Sequence, residues 1–302
     1  MRTLRESLDV ASAVAIQNIA FATDLSPESY AALPFAADLA KRYAAKIWGF
    51  HVVVPHDYPG RPYRDMPTLE RDVKDMKQHL KEKFAERLEG IPNDVAVIEY
   101  GETWHALSTF IKDHDIDLLV MGTHGRTGVG KVVLGSVAET VFRQCECPVL
   151  TVGPKVIRRL DQLAPPKEIL YATDLSPAAQ AAARYAISQA QEQGAHLVLL
   201  HVIENPKPGE LAYGGEFVDA ARHLLRDIVP PEANLWCPAE EVVKFGVPAD
   251  VILEMAQIRS ADLIVLGVRK PAANLGLATH FGRASAYRVV SEAPCPVLTV
   301  RG

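Results

Sequence analysis

The sequence has no excess of positive charge. Its 32 lysines and arginines are outnumbered by 37 acidic residues, a formal net charge of −5 over 302 residues. No basic field is present to gather nucleic acid or an anionic membrane surface. Cysteine is scarce: four residues do not make a disulfide framework, and a reducing cytosol is the expected compartment. Long apolar runs are missing as well, so no segment of about 18 residues is available to span a bilayer. One apolar stretch, Val10 to Ile16 behind Arg2 and Arg5, has the outline of a short leader. Glu6 and Asp9 fit a basic leader badly, and the segment that follows recurs later in the chain, so the stretch is read as part of the first domain. What is present is 48% hydrophobic and 23% charged, the composition of a folded globular chain.

The chain repeats itself. Phe21-Ala22-Thr23-Asp24-Leu25-Ser26-Pro27 returns as Tyr171-Ala172-Thr173-Asp174-Leu175-Ser176-Pro177, an offset of 171 − 21 = 150. His51-Val52 and His201-Val202 keep that offset, whereas Asp117-Leu118 and Asp262-Leu263 are 145 apart. Cys147-Pro148-Val149-Leu150-Thr151-Val152 matches Cys295-Pro296-Val297-Leu298-Thr299-Val300 at 148. A period this long is a duplicated domain rather than a solenoid of short repeats. The expected division is a first domain over residues 1–153, a linker over 154–167, and a second domain over 168–302, with the breakers Gly153-Pro154 spanning the first boundary and Pro165-Pro166 near the second.

Strand and helix patterns alternate within each half. In the first, Ile19 to Thr23 reads as a strand, and Ser26 caps the next helix with Pro27 at its first position. Pro34 is expected to kink or delay that helix. Ile47 to Val54 is a second strand, Pro55 to Pro67 a loop, and Thr68 to Leu88 an amphipathic helix with Val73, Met76, Leu80, Phe84 and Leu88 at helical spacing. Val95 to Tyr100 reads as strand three, Thr103 to His114 as a helix, Leu118 to Val120 as strand four, Val137 to Arg143 as a short helix and Val149 to Val152 as strand five. The alternation predicts an α/β chain: two tandem, doubly wound domains, each a five-stranded parallel sheet covered on both faces. Ligands on such sheets sit beyond the carboxyl ends of the strands, where strand order reverses.

One stretch between strand four and its helix has the chemistry of a phosphate cradle: Gly122-Thr123-His124-Gly125-Arg126-Thr127-Gly128-Val129-Gly130-Lys131, closing on Gly135-Ser136. Glycines let backbone approach a ligand closely, and the free N–H groups of a helix start favour an anion. It is not a Walker loop. Gly125-x4-Gly130-Lys131 is followed by Val132, so the hydroxyl that would hold Mg²⁺ is missing. A Gly-x-Gly-x-x-Gly reading fails too, because Val133 stands at the third glycine. What fits is Gly122-x2-Gly125-x9-Gly135-Ser136.

With that motif, with Ala22-Thr23-Asp24-Leu25-Ser26, with His51-Val52 and with Cys147-Pro148-Val149-Leu150, the chain resembles the universal stress protein family, as two tandem copies over nearly its whole length. The resemblance implies the fold just derived, of the adenine-nucleotide alpha-hydrolase-like kind. It also implies ATP as ligand, with or without Mg²⁺. Carried over by position, Asp24 would meet ribose or phosphates, and the backbone around Val52 and Met121 would take the adenine. Gly122, His124, Gly125, Arg126, Gly135, Ser136 and Val137 would wrap the ribose and phosphates. The two halves would pack as a pseudo-dimer through their fifth strands, and chains would pair again as a homodimer. The function implied is a stress-response or signalling role exercised through nucleotide-dependent conformation rather than catalysis.

Plainer readings stand beside these. Ser136-x-x-Glu139 has the form of a capping box, and Asp24 that of a turn residue before the Ser26 cap. His51 and His201 recur inside apolar strands and read as packed core residues; Cys147 and Cys295 read as small buried ones. Lys131 reads equally as a solvated loop charge. Cys145-Glu146-Cys147 has no partner pair at zinc spacing. In the second copy, Lys270 and Pro271 stand where the first has Gly125 and Arg126, and Gly282-Arg283-Ala284-Ser285 breaks the Gly-Ser pair. That half is expected to keep the fold and to bind ATP poorly or not at all, although Arg269, Lys270 and Arg283 could serve another anion. A slow ATP-hydrolysing or adenylate-forming enzyme is the alternative, but the chain lacks the Ser-Gly-Gly-x-Asp-Ser and His-x-Gly-His elements expected in such relatives. A purely structural interaction module is the third reading.

Overall fold

The computed structural model describes residues 14–53, 66–98, 102–124, 134–159, 165–204, 214–230, 239–268 and 279–302. The first half runs β1 (Asn18–Ala22), α1 (Pro27–Tyr30), α2 (Leu33–Tyr43), β2 (Lys46–Val52), α3 (Met66–Arg87), β3 (Asn93–Ile98), α4 (Thr103–Asp113), β4 (Leu118–Gly122), α5 (Ser136–Gln144) and β5 (Val149–Val152). A 3-10 helix, Pro154–Arg159, leads on to β6 (Glu168–Thr173), α6 (Pro177–Gln193), β7 (His196–Ile203), α7 (Gly214–Arg226) and β8 (Ala239–Phe245). The chain closes with α8 (Pro248–Ile258), β9 (Leu263–Val268), α9 (Thr279–Glu292) and β10 (Val297–Arg301). The delay expected from Pro34 is real: the first helix stops after one turn, and α2 restarts with Pro34 in its opening turn.

The described strands form one sheet in the order β3-β2-β1-β4-β5-β10-β9-β6-β7-β8. Every neighbouring pair is parallel except β5 and β10, which run antiparallel with Leu150 opposite Leu298. The halves are therefore joined edge to edge through their fifth strands. Thr151 Oγ1 donates to Val297 O at 3.1 Å, and its counterpart Thr299 Oγ1 donates to Val149 O at 3.3 Å.

Alternate residues along each strand feed two cores, one per face, as a period of two requires. On one face Ile19, Phe21, Ile47 and Val120 pack with Leu80 and Phe84 of α3 and with Leu88 just beyond its end, and the cluster runs on across the join to Tyr171 and Leu199. On the other, Ala20, Phe50 and Leu119 pack with Phe110, Val141 and Phe142, continuing to Leu170 and Val289. Gly49 sits where a side chain would collide with the Phe84 ring, at 2.5 Å, so glycine in mid-strand is what lets α3 lie close on β2. The repeated Asp-Leu pair anchors backbone. Asp117 Oδ2 accepts from Gln17 N at 2.7 Å and Asn18 N at 2.9 Å, tying the start of β1 to β4. Asp262 Oδ2 does the same for Lys167 N and Glu168 N, at 2.9 and 3.2 Å. Of the apolar stretch near the start, Val10 to Ala13 lie outside the described residues; Ile16 is buried in the first core.

Candidate functional site

β1 has β2 on one side and β4 on the other, so strand order reverses at the crevice between the carboxyl ends of β1 and β4. The turn that leaves β1 at this crevice is built from its own side chains. Thr23 Oγ1 accepts from Leu25 N at 2.9 Å. Asp24 Oδ1 accepts from Ser26 N at 3.0 Å and from Ser26 Oγ at 2.5 Å. Leu25 is thereby held at φ 65°, a left-handed conformation unusual for leucine. Leu175 has φ 59° in the matching turn, where Thr173 Oγ1 and Asp174 Oδ1 each accept at 3.0 Å. The recurrence of Asp24 as Asp174 thus follows from turn chemistry. Ser26 Oγ goes on to cap α1, accepting from Ser29 N at 3.2 Å, with Pro27 next in line.

His51 braces the same turn from β2. Its Nδ1 lies 2.8 Å from Thr23 O, and a carbonyl only accepts, so Nδ1 carries the hydrogen. His201 repeats the contact with Thr173 O at 2.9 Å. His51 is buried, and among the described residues no cluster of three His, Cys, Asp or Glu groups is arranged for a metal ion.

Across the crevice, Val52 and Met121 are buried, their side chains committed to the second core, so a base placed here would face their backbone. Gly122 has a packing reason. A Cβ there would lie 3.2 Å from Ser29 Cα and 3.3 Å from Glu28 O, where α1 crosses β4. Gly267 is tighter still, at 2.5 Å from Ala179 Cα under α6. A bulky residue at position 122 would therefore displace α1, and ligand loss in such a variant would not report on the loop.

Thr123 is fully buried; its N donates to Val152 O at 3.0 Å, and its Oγ1 is 2.8 Å from His124 Nδ1. Gly135 N donates to Thr123 O at 2.9 Å, which ties together the two ends of the glycine-rich loop. Gly125, Arg126 and Lys131 lie in 125–133, outside the described residues, as do Arg269, Lys270 and Pro271 of the second copy. The capping-box reading of Ser136 and Glu139 is corrected here. Gly135, at φ −60° and ψ 151°, is the N-cap of α5, and as glycine it has no side chain to cap with. Ser136 is the first helical residue and is exposed beside Val137, and Glu139 pairs with Arg143 at 2.6 Å. Cys147 is half-buried rather than buried, unlike Cys295. The residues that sequence reasoning passed over are Thr23, Ser29 and Thr123, whose hydroxyls wire the crevice floor; Thr23 Oγ1 and Ser29 Oγ are 2.7 Å apart. The repetition of Thr23 as Thr173 was the available signal.

A family model for universal stress proteins matches residues 15–153 and again 166–301. A universal stress protein of Methanocaldococcus jannaschii is 32% identical over 149 residues, 45% of this chain and 81% of that one. One from Mycolicibacterium smegmatis is 26% identical over 290 residues, 92% of this chain and 95% of its own. The crystal structure of a universal stress protein from Archaeoglobus fulgidus superposes with a TM-score of 0.68 at 21% identity, covering 94% of this chain and 97% of that one. Among the described residues no helix is long and apolar enough to cross a membrane.

Proposed function

The chain belongs to the universal stress protein family, and from that premise we propose that its first half, residues 1–153, holds one ATP in the crevice between β1 and β4. The observation that carries this reading is the tied loop. The Gly135–Thr123 hydrogen bond closes a glycine-rich segment directly beyond β4 and sets at the N-cap of α5 a glycine, which brings no side-chain oxygen of its own. The N–H groups of a helix start at a strand-order reversal are suited to phosphate. The backbone at Val52 and Met121 takes the adenine; Gly122, His124, Gly125, Arg126, Gly135, Ser136 and Val137 surround ribose and phosphates. Asp24 already serves the turn with one carboxylate oxygen, and its charge at the crevice rim is what would receive a phosphate-borne Mg²⁺.

Magnitudes require a composite site. A helix N-terminus contributes about 0.3–1 kcal/mol to an anion, and micromolar affinity needs about 8 kcal/mol. Arg126 and burial of the base supply most of the difference. The second half, residues 168–302 after the 154–167 linker, serves as packed partner rather than a second ATP site. The protein works in the cytosol by signalling its nucleotide state through conformation, without committed catalysis, and two chains form a homodimer.

Calorimetric titration of the intact chain with ATP tests the reading. One site per chain is expected, with Arg126→Ala weakening it by about tenfold or more, the worth of one charge-assisted contact. Asp24→Asn, which keeps the turn acceptor, separates the charge from the turn, and Asp174→Asn is expected to leave affinity unchanged. Two equal sites, no site, or steady release of ADP or AMP would each sink the proposal.

A further inference from the structure

The join between the halves holds a pair of thiols that the nucleotide crevice does not use. Cys145 follows the last turn of α5 and is buried, while Cys147 is half-buried on the approach to β5. Their sulfurs are 3.4 Å apart. Both line a narrow cleft at the join, together with Val141, Phe142, Val149 and Arg301. It has room for about one water molecule. The far wall is the last strand of the second half, where Arg301 reaches back across the join. Its Nε donates to Cys145 O at 2.7 Å and its Nη2 to Phe142 O at 2.8 Å, closing the carbonyl end of α5.

The fold does not need a thiol at position 145. With the 148-residue offset of the Cys147 and Cys295 repeat, Cys145 corresponds to Ala293 in the second half, which is equally buried. A small side chain satisfies the packing, so the paired sulfurs are a property of the first half alone.

We propose that Cys145 and Cys147 are a peroxide-responsive dithiol whose disulfide loosens the Arg301 clasp between the two halves. The hydrogen bond from Cys147 holds the Cys145 thiol below its ordinary range, with Arg301 adding to that and burial and Glu146 opposing it. The same hydrogen bond and burial push the Cys147 thiol up. Cys145 lines the cleft with Arg301 bonded to its own carbonyl, and it is assigned the attack on that placement. Its sulfur displaces at the O–O bond of a hydroperoxide, which leaves as water or an alcohol and gives a sulfenic acid on Cys145. The Cys147 sulfur then attacks that sulfur; the S–O bond breaks, a second water leaves with the Cys147 proton, and the S–S bond forms. Two thiols give two electrons to one peroxide. The sulfurs must close from 3.4 Å to about 2.05 Å. Residues 145–148 belong to no helix or strand, so closing the sulfurs bends a connecting segment rather than a strand or helix. That movement carries the Cys145 carbonyl that Arg301 holds. A disulfide across one intervening residue is a tight ring, readily reduced by a dithiol, which suits a reversible signal rather than a structural staple.

Peptide mapping of the intact protein after graded hydrogen peroxide, with alkylation of remaining thiols, tests the pairing. A loss of two hydrogens linking Cys145 to Cys147 is expected at peroxide levels that leave Cys295 alkylatable, and dithiothreitol should restore both thiols. Cys145→Ala, which copies Ala293, is expected to keep the melting temperature of the reduced protein and to form no internal disulfide. Oxidation should lower the melting temperature of wild type, and lower it less in Arg301→Gln, where the clasp is already gone. Cys145 and Cys147 staying as alkylatable as Cys295, disulfides to Cys237 or between chains in their place, or an equal melting shift in Arg301→Gln would overturn the proposal. None of these readouts depends on nucleotide.

Discussion

Tyr30 and Tyr171 each lie near the turn after the first strand of their half, and burial, with Asp24 or Asp174 adding to it, pushes each hydroxyl up to about 12. A raised acid means that the unfolded chain releases its proton first. The stability these groups contribute is complete below about pH 10 and is lost as pH climbs towards 12. They differ in partners. Tyr171 OH donates to Ala179 O at 2.7 Å, whereas Tyr30 OH is buried with no hydrogen-bond partner among the described residues. Tyr171→Phe is therefore expected to cost about 1 kcal/mol, and Tyr30→Phe to stay within about 0.5 kcal/mol of wild type or gain stability. Both should flatten the alkaline loss. Urea unfolding at pH 8 and pH 10.5 measures the two effects together. At this scale the sequence exposed repetition but not its reason. Thr23, Asp24 and Asp117 recur visibly, and only the hydrogen bonds to Leu25, Ser26 and Asn18 say why those side chains and no others stand there.

Between elements, a helix start lies close over a strand end in both halves. Gly267→Ala would set a methyl 2.5 Å from Ala179 Cα, against 3.2 Å from Ser29 Cα for Gly122→Ala. Overpacking of this kind costs about 1–3 kcal/mol, so Gly267→Ala should fall in that range and Gly122→Ala below it. Chemical denaturation of both variants checks the order; a larger loss at Gly122 would contradict the packing account. Local chemistry made most elements legible. Ser26 and Pro27 set the start of α1, Pro34 the restart at α2, and period-two strands the sheet. The start of α5 was misread for a physical reason: a capping box needs an extended residue with a side-chain oxygen, and the tertiary bond from Gly135 N to Thr123 O gives that position to glycine instead. Of the glycine motif, Gly122 carries a packing duty invisible in sequence, because the helix it must clear begins about a hundred residues earlier at Pro27.

For the molecule as a whole, the continuous sheet predicts that the join is among its most protected parts. β5 and β10 are flanked on both sides by paired strands, and their side chains enter both cores. Native-state hydrogen exchange should place the Leu150 and Leu298 amides among the slowest, exchanging through global unfolding. Arg301→Gln should quicken the amide of Cys145, which closes α5 on Val141 O, more than those of β1. Early exchange at β5 with β1 still protected would mean that the halves separate before they unfold. The tandem plan was readable from the offsets of 150, 145 and 148. Joining through the fifth strands is implied by the family resemblance alone, and the antiparallel sense of the seam is a finding of the structure, since nothing in Val149 to Val152 encodes the direction of its neighbour.

That single reversal of direction gives the molecule two opposed poles. Every strand of the first half points one way and every strand of the second the other, so the crevice at β1 and β4 and its counterpart at β6 and β9 open towards opposite rims. Four strand spacings, about 20 Å, separate them sideways, with a strand length of about 17 Å besides. No nucleotide reaches from one pole to the other. Whatever is bound at one pole therefore lies on the opposite rim from the other crevice, and the two do not share a surface.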